Sequence, residues 1–186
     1  MKINGTAYRT IWLNEDGWSV EIIDQTRLPH EFVTARLTCM EDAAVAIRTM
    51  QVRGAPLIGA TAAYGVCLAL REDASDEAMD AAIDHLADQR PTAFNLRWAL
   101  DEMRKAVRNL PREERVKAAY ERAARLCDED VETCRMIGVH GLELIEVIAA
   151  KKGAGEAVKD LTPVSYKQIK MRKTGIRGSS LMDEEH

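Results

Sequence analysis

The chain has 186 residues, of which 46% are hydrophobic but only 5% aromatic, and its formal net charge is −4. This composition is typical of a mainly helical globular protein, and the mild charge indicates neither a nucleic-acid partner nor a membrane partner. We see no signal peptide and no apolar run of ~18 residues that could span a bilayer. The four cysteines form no C-x-x-C pair, so we expect reduced thiols and a cytoplasmic location.

The first 37 residues predict a short antiparallel β-meander. The segments "AYRTIWL" and "WSVEIID" are rich in β-branched and aromatic residues, and Asp16-Gly17 between them suits a tight hairpin. The segment "EFVTARL" at 31–37 predicts a third strand.

From Thr38 the hydrophobic period becomes helical, which predicts a helical bundle over residues 38–150. Thr38 and Glu41 have the spacing of a capping box at the first helix. That helix is expected to end near Gly54, because glycine can provide a C-terminal cap. A second helix is predicted from Pro56 and is apolar on every face, as in the centre of a bundle.

Three further helices are predicted after the central one. Ser75 can cap the third helix, and Asn95 can start the fourth. The fifth is long and strongly charged on its outer face. Gly138 and Gly141 are expected to break or kink it before a last apolar segment, "LELIEVIAA".

A domain boundary is predicted near residue 150, where the composition changes. Residues 151–177 contain eight Lys or Arg against two acidic residues, with Gly, Pro and Ser scattered among them. A solvated, irregular basic tail over 151–186 is favoured over an RNA-binding segment, because only Tyr166 is aromatic there and no known motif occurs. The predicted fold class is therefore α+β, mainly α, with one domain at 1–150 and this tail.

The segment "QVRGAPLIG" at 51–59 has the residues of an anion site at a helix start. Unpaired N–H groups and the helix dipole favour negative charge there, Gly54 allows close approach, and Arg53 supplies a fork for phosphate oxygens. A plain helix–loop–helix turn with a solvated arginine explains the same residues, and from these residues alone it is the favoured interpretation. A P-loop is excluded, because the required Lys-Ser or Lys-Thr pair is absent: Ala60 and Thr61 follow Gly59, so the lysine is missing.

A second candidate is Arg90, which precedes a proline-fixed turn in "RPTAFNLRWAL". It could hold the same anion, or it could be a surface arginine at an ordinary helix boundary. No metal site is predicted, since His85 and His140 lack a second ligand at useful spacing. No Cys or Ser pairs with His in a recognisable catalytic arrangement.

Four segments in order, "IDQTRLPHEF", "AIRTMQVRGAPLIGATAAYG", "RPTAFNLRWAL" and "IGVHGLELI", resemble the N-terminal half of S-methyl-5-thioribose-1-phosphate isomerase, a family of methionine salvage. The resemblance covers roughly residues 1 to 150. Its superfamily includes ribose-1,5-bisphosphate isomerase and regulatory subunits of an initiation-factor exchange complex, so fold alone does not fix the activity.

The resemblance implies that Arg53, Gly54, Ala55 and Arg90 contact a sugar phosphate. It also implies an aldose-to-ketose isomerisation without metal, nucleotide or other cofactor. The family's catalytic cysteine and aspartate belong to a C-terminal Rossmann-like domain. None of the four cysteines here lies in the family's Thr-His-Cys-Asn context and no residue matches the aspartate, so no catalytic residue is assigned.

The likeness stops just inside "DLT" at 160–162, which leads to the hypothesis of a truncated or frameshifted isomerase, inactive alone. The downstream reading frames would test it: they should encode the Thr-His-Cys-Asn pattern. A second copy of the chain or a separate C-terminal domain is the expected protein partner, and an apolar surface normally covered by that domain should be exposed. The alternative function is a non-catalytic interaction or ligand-sensing module like the regulatory relatives.

Overall fold

The computed structural model describes residues 2–3 and 5–151. The chain divides into two compact units, Met1–Cys127 and Asp128–His186. The predicted boundary near residue 150 stays a prediction. Apart from Lys151, the predicted basic tail lies outside the described residues.

The N-terminal strands form the predicted antiparallel meander. Strands β1 (Lys2–Ile3) and β2 (Thr6–Ala7) have two residues each and pair antiparallel, a small sheet that was not predicted. Strands β3 (Ile11–Leu13), β4 (Val20–Ile23) and β5 (Thr34–Leu37) pair in the order β3-β4-β5. The turn before β4 contains Gly17 with a φ of 77°, a backbone conformation suited to glycine.

Five helices follow the sheet: α1 (Met40–Arg48), α2 (Ala55–Glu72), α3 (Asp76–Asp88), α4 (Phe94–Val107) and α5 (Arg112–Lys151). Helix α2 is the centre of the bundle, with 13 of its 18 residues buried, and it packs against α1, α3 and α4. Burial on all sides explains why this helix has no polar face. The fold class predicted from the sequence, α+β and mainly α, is confirmed.

Two predicted helix caps have different outcomes. Ser75 caps α3 as predicted, its hydroxyl accepting from the backbone N–H of Ala78 at 3.1 Å. The capping box predicted for Thr38 and Glu41 is wrong. Asp42 replaces Glu41 in that role, because α1 begins one residue later than the spacing suggested and places the Asp42 carboxylate 3.1 Å from the backbone N of Cys39.

Helix α5 is continuous for 40 residues, so Gly138 and Gly141 do not break it, and the alternative of a kink at these glycines stays a prediction. Each glycine costs only about 1 kcal/mol relative to alanine in a helix. Ending the helix there would instead leave up to four carbonyls without their intrahelical partners. No described helix is both long and apolar enough to cross a membrane.

Candidate anion-binding site at one end of the bundle

The turn that carries Arg53 is fixed by the end of α1. Thr49 donates its backbone N–H to the carbonyl of Val45 at 2.8 Å, and Met50 then takes a left-handed backbone with φ of 62°. Val52 is fully buried and its N–H lies 3.4 Å from the carbonyl of Ala46. Met50 therefore ends α1, and the prediction that Gly54 would cap this helix is wrong.

Gly54 instead stands at the start of α2. Its φ of 93° and ψ of 134° place the backbone where side-chain-bearing residues rarely go. No side chain caps this helix and its first turn holds no acidic residue, while Gly54 and Ala55 are exposed. The first-turn N–H groups can therefore receive an anion from solvent. The predicted start at Pro56 is confirmed to within one residue.

Arg53 is exposed and held in place from within its own turn. Its Nε lies 3.3 Å from the carbonyl oxygen of Met50. Among the described residues no carboxylate forms an ion pair with Arg53. The N–H groups of its terminal nitrogens are therefore available to bind another acceptor.

Arg90 occupies a comparable position before α4. Its carbonyl accepts from the N–H of Ala93 at 2.9 Å, closing a turn around Pro91, and Ala93 is the N-cap of α4. No side chain caps α4 and no acid lies in its first turn. Asn95, predicted to start this helix, lies within the first turn instead. Arg90 is half-buried and has no carboxylate partner in the described part of the chain.

The two helix starts are neighbours. A Cβ placed on Gly59 of α2 would lie 2.9 Å from the carbonyl oxygen of Asn95 and 3.2 Å from Cβ of Ala99, both on α4. The ends of α1 and α3 meet on the same side of the bundle, where Arg48 donates to the side-chain oxygen of Gln89 at 2.6 Å. Arg53, Gly54, Ala55 and Arg90 therefore all lie at one end of the bundle.

Three features of this end were not predicted. The left-handed Met50 carries no sequence signal, since methionine has no preference for that backbone. Gly59 was visible as a glycine inside an apolar helix, but a helical glycine does not by itself show which element approaches it. Phe94 and Trp98 are 80% and 45% exposed and form an apolar rim on the first turns of α4. Because only 5% of the residues are aromatic, two aromatic residues four positions apart could have drawn attention to this surface in the sequence.

No group of three or more His, Cys, Asp or Glu residues within 2–3 and 5–151 could hold a metal ion.

More than half of the chain matches the model of a known protein family. Residues 51–166 match the model described as the initiation factor 2 subunit family, and the match begins at the turn before Arg53. The chain belongs to this family. The resemblance read from the four sequence segments is confirmed.

The curated proteins that resemble this chain include methylthioribose-1-phosphate isomerases. Methylthioribose-1-phosphate isomerase of Sinorhizobium medicae (strain WSM419) is 57% identical over 162 residues, which are 87% of this chain and 44% of that protein. The isomerase of Paramagnetospirillum magneticum (strain AMB-1) is 61% identical over 145 residues, 78% of this chain and 40% of that protein. The chain thus spans less than half the length of these curated relatives.

Two solved structures share the fold. Translation initiation factor eIF-2B subunit delta from A. fulgidus is 35% identical, with a TM-score of 0.67 over 74% of this chain and 42% of that one. The 5-methylthioribose 1-phosphate isomerase from Pyrococcus horikoshii OT3 is 36% identical, with a TM-score of 0.66 over 73% of this chain and 40% of that one.

Proposed function

We propose that this chain is the phosphate-binding part of an aldose–ketose isomerase that converts S-methyl-5-thioribose 1-phosphate to S-methyl-5-thioribulose 1-phosphate. Arg53, Gly54, Ala55 and Arg90 would hold the phosphate. The observation that carries the proposal is the side-by-side placement of two helix starts without a side-chain cap, each preceded by an arginine that pairs with no carboxylate in the described part of the chain. The 57% identity to a methylthioribose-1-phosphate isomerase supports the choice of substrate.

The arrangement suits a sugar phosphate for electrostatic reasons. A phosphate has several acceptor oxygens and close to two negative charges at neutral pH. First-turn N–H groups can bind it from one side and a guanidinium from another, and both interactions are stronger because the ligand is charged. Fixing the phosphate orients the adjoining C1 and C2 atoms, between which the isomerisation moves hydrogen.

Binding without turnover is the expected behaviour of this chain alone. Moving a proton between C2 and C1 requires a positioned acid and base, and no residue here is assigned to either role. Turnover is expected when a separately produced remaining portion of a related isomerase is added. No metal or nucleotide is required in this proposal.

Calorimetric titration with inorganic phosphate and with the sugar phosphate tests the binding role. Arg53→Gln and Arg90→Gln should each weaken both affinities roughly tenfold or more, because a hydrogen bond to a charged group is worth about 1.5–3 kcal/mol. Arg97→Gln is the matched control: Arg97 is exposed and pairs with no carboxylate of the described residues, but helical geometry points it away from the face of α4 that carries Asn95 and Ala99 and packs against α2. Equal losses in all three variants would indicate general charge attraction and refute a defined site.

The likeness to an eIF-2B subunit favours one other candidate, a non-catalytic interaction module. Mixing this chain with the separately produced remaining portion of a related isomerase distinguishes the two functions. Restored turnover supports the isomerase. A stable complex with another protein, without phosphate binding and without turnover, supports the module.

A further inference from the structure

Gly59 lies where α2 closely approaches the first turns of α4. The would-be Cβ distance of 2.9 Å to Asn95 O is shorter than real Cβ contacts, and the atom it meets belongs to the backbone. A backbone atom cannot rotate away as a side-chain end can. Only glycine therefore allows α4 to stand this close to α2.

We propose that Gly59 is a positioning residue, which sets the separation of the two helix starts so that one phosphate can contact both. This inference rests on the proposed function. With any side chain at residue 59, the first turn of α4 must move away from α2. The donors on the two helices would then no longer reach the same ligand together.

The connections on each side show why such a shift would separate the arginines. The Arg90 turn is joined to α4 through the 2.9 Å bond from Ala93 N–H to the Arg90 carbonyl, so it moves with α4. The Arg53 turn is joined to other elements. Gln51 accepts from the N–H of Gln25 at 2.9 Å, and buried Val52 bonds back to α1. Arg53 therefore stays in place when Arg90 moves.

Gly65 provides a matched control on the same helix, six residues further along. A Cβ there would lie 3.0 Å from Cδ1 of Leu86 and 3.1 Å from Cβ of Ala43, which are side-chain atoms of α3 and α1. Gly65→Ala therefore crowds the core without pressing on the α4 backbone.

The experiment measures the affinity of the full chain for inorganic phosphate, below the unfolding temperature of every variant. Gly59→Ala should weaken binding roughly tenfold or more, in line with the cost of misplacing a charge-assisted contact. Gly65→Ala should lower the unfolding temperature but keep the affinity within about twofold of wild type. If Gly59→Ala does not fold, Ala99→Ser adds one atom at the same contact from the α4 side and should act in the same direction.

A double-variant comparison shows whether Gly59 acts through Arg90. In an Arg90→Gln background, Gly59→Ala should cost less than about twofold, since the contact it disturbs is already gone. Additive losses would overturn the positioning role. If the wild type binds phosphate and Gly59→Ala binds it equally well, this inference alone fails. If the wild type binds no phosphate, the proposed function fails as well.

Discussion

Arg115 carries a buried charge at the start of α5, with only 6% of the residue exposed. Its Nε donates to the carbonyl of Leu110 at 3.0 Å, and its terminal nitrogens donate to the carbonyls of Ala74 at 2.8 Å and Arg108 at 3.1 Å. An oxygen of Asp76 lies 2.8 Å away. One guanidinium thus satisfies three carbonyls from two connections of the bundle, the one between α2 and α3 and the one between α4 and α5.

Arg115→Met should reduce the free energy of unfolding by about 3 kcal/mol, because three carbonyls near the core lose their donor. Asp76→Asn should cost less than about 1 kcal/mol, since that carboxylate is half-exposed. Urea denaturation at constant pH measures both. An unchanged stability for Arg115→Met would mean that burying the charge costs as much as its hydrogen bonds contribute.

The sequence predicted only that α5 would be long and strongly charged on its outer face, and it did not single out Arg115. Its burial could not be predicted, because it depends on carbonyls up to 41 positions away that meet only in the folded bundle. The same limit applied to Met50 and to the approach of Gly59 to Asn95. The helix start beside Arg53 and Gly54 could be predicted, because a helix start is a local pattern.

Helix α1 depends on the carboxylate of Asp42 in its first turn. That carboxylate accepts from the N–H and hydroxyl of Thr38 at 2.8 and 2.9 Å and from the N–H of Cys39 at 3.1 Å. Burial raises the pKa of Asp42, but these hydrogen bonds outweigh it and hold the pKa below its ordinary value of 3.8. The ionised form is therefore the one that stabilises the folded helix.

Asp42→Ala should lower stability by about 1 kcal/mol at pH 7, the usual cost of a lost cap. Because the pKa is lower in the folded state, the contribution of Asp42 is complete above pH 3.8 and is lost as pH falls through the folded value. The difference between wild type and variant should therefore shrink in acid. Thermal unfolding from pH 7 to pH 2 measures it, with Glu77→Ala as the control, because Glu77 is an exposed carboxylate in the first turn of α3. A difference that is constant with pH would contradict the role of the charge.

At the scale of elements, the identity and order of the helices followed from local signals. The central position of α2 followed from its lack of a polar face, and the start of α3 followed from Ser75. The length of α5 did not follow from local signals, because two glycines among good helix formers weaken a helix without ending it. Helix ends were the least predictable part, since they depend on which neighbouring groups satisfy the terminal N–H and carbonyl groups.

At the scale of the whole molecule, α5 presents an apolar stripe to solvent. We define the α5 stripe as Met136, Ile137, Leu144 and Val147, whose exposed fractions run from 36% to 67%. Helical spacing brings these residues to one side of α5, where a shallow groove also includes His140 and Gly141. An exposed surface of this kind agrees with the expectation that a further protein surface covers it.

The α5 stripe should make the chain associate with itself weakly, with a dissociation constant above about 1 μM, because one helix face buries less than a standard interface. Sedimentation velocity over a range of concentrations should show a reversible dimer. Ile137→Lys combined with Leu144→Lys should abolish it, since two charges would be desolvated in the contact. Val131→Lys is the control, because Val131 is 48% exposed but lies on roughly the opposite side of α5. A monomer at every concentration, or equal loss with the control, would show that the stripe does not drive association.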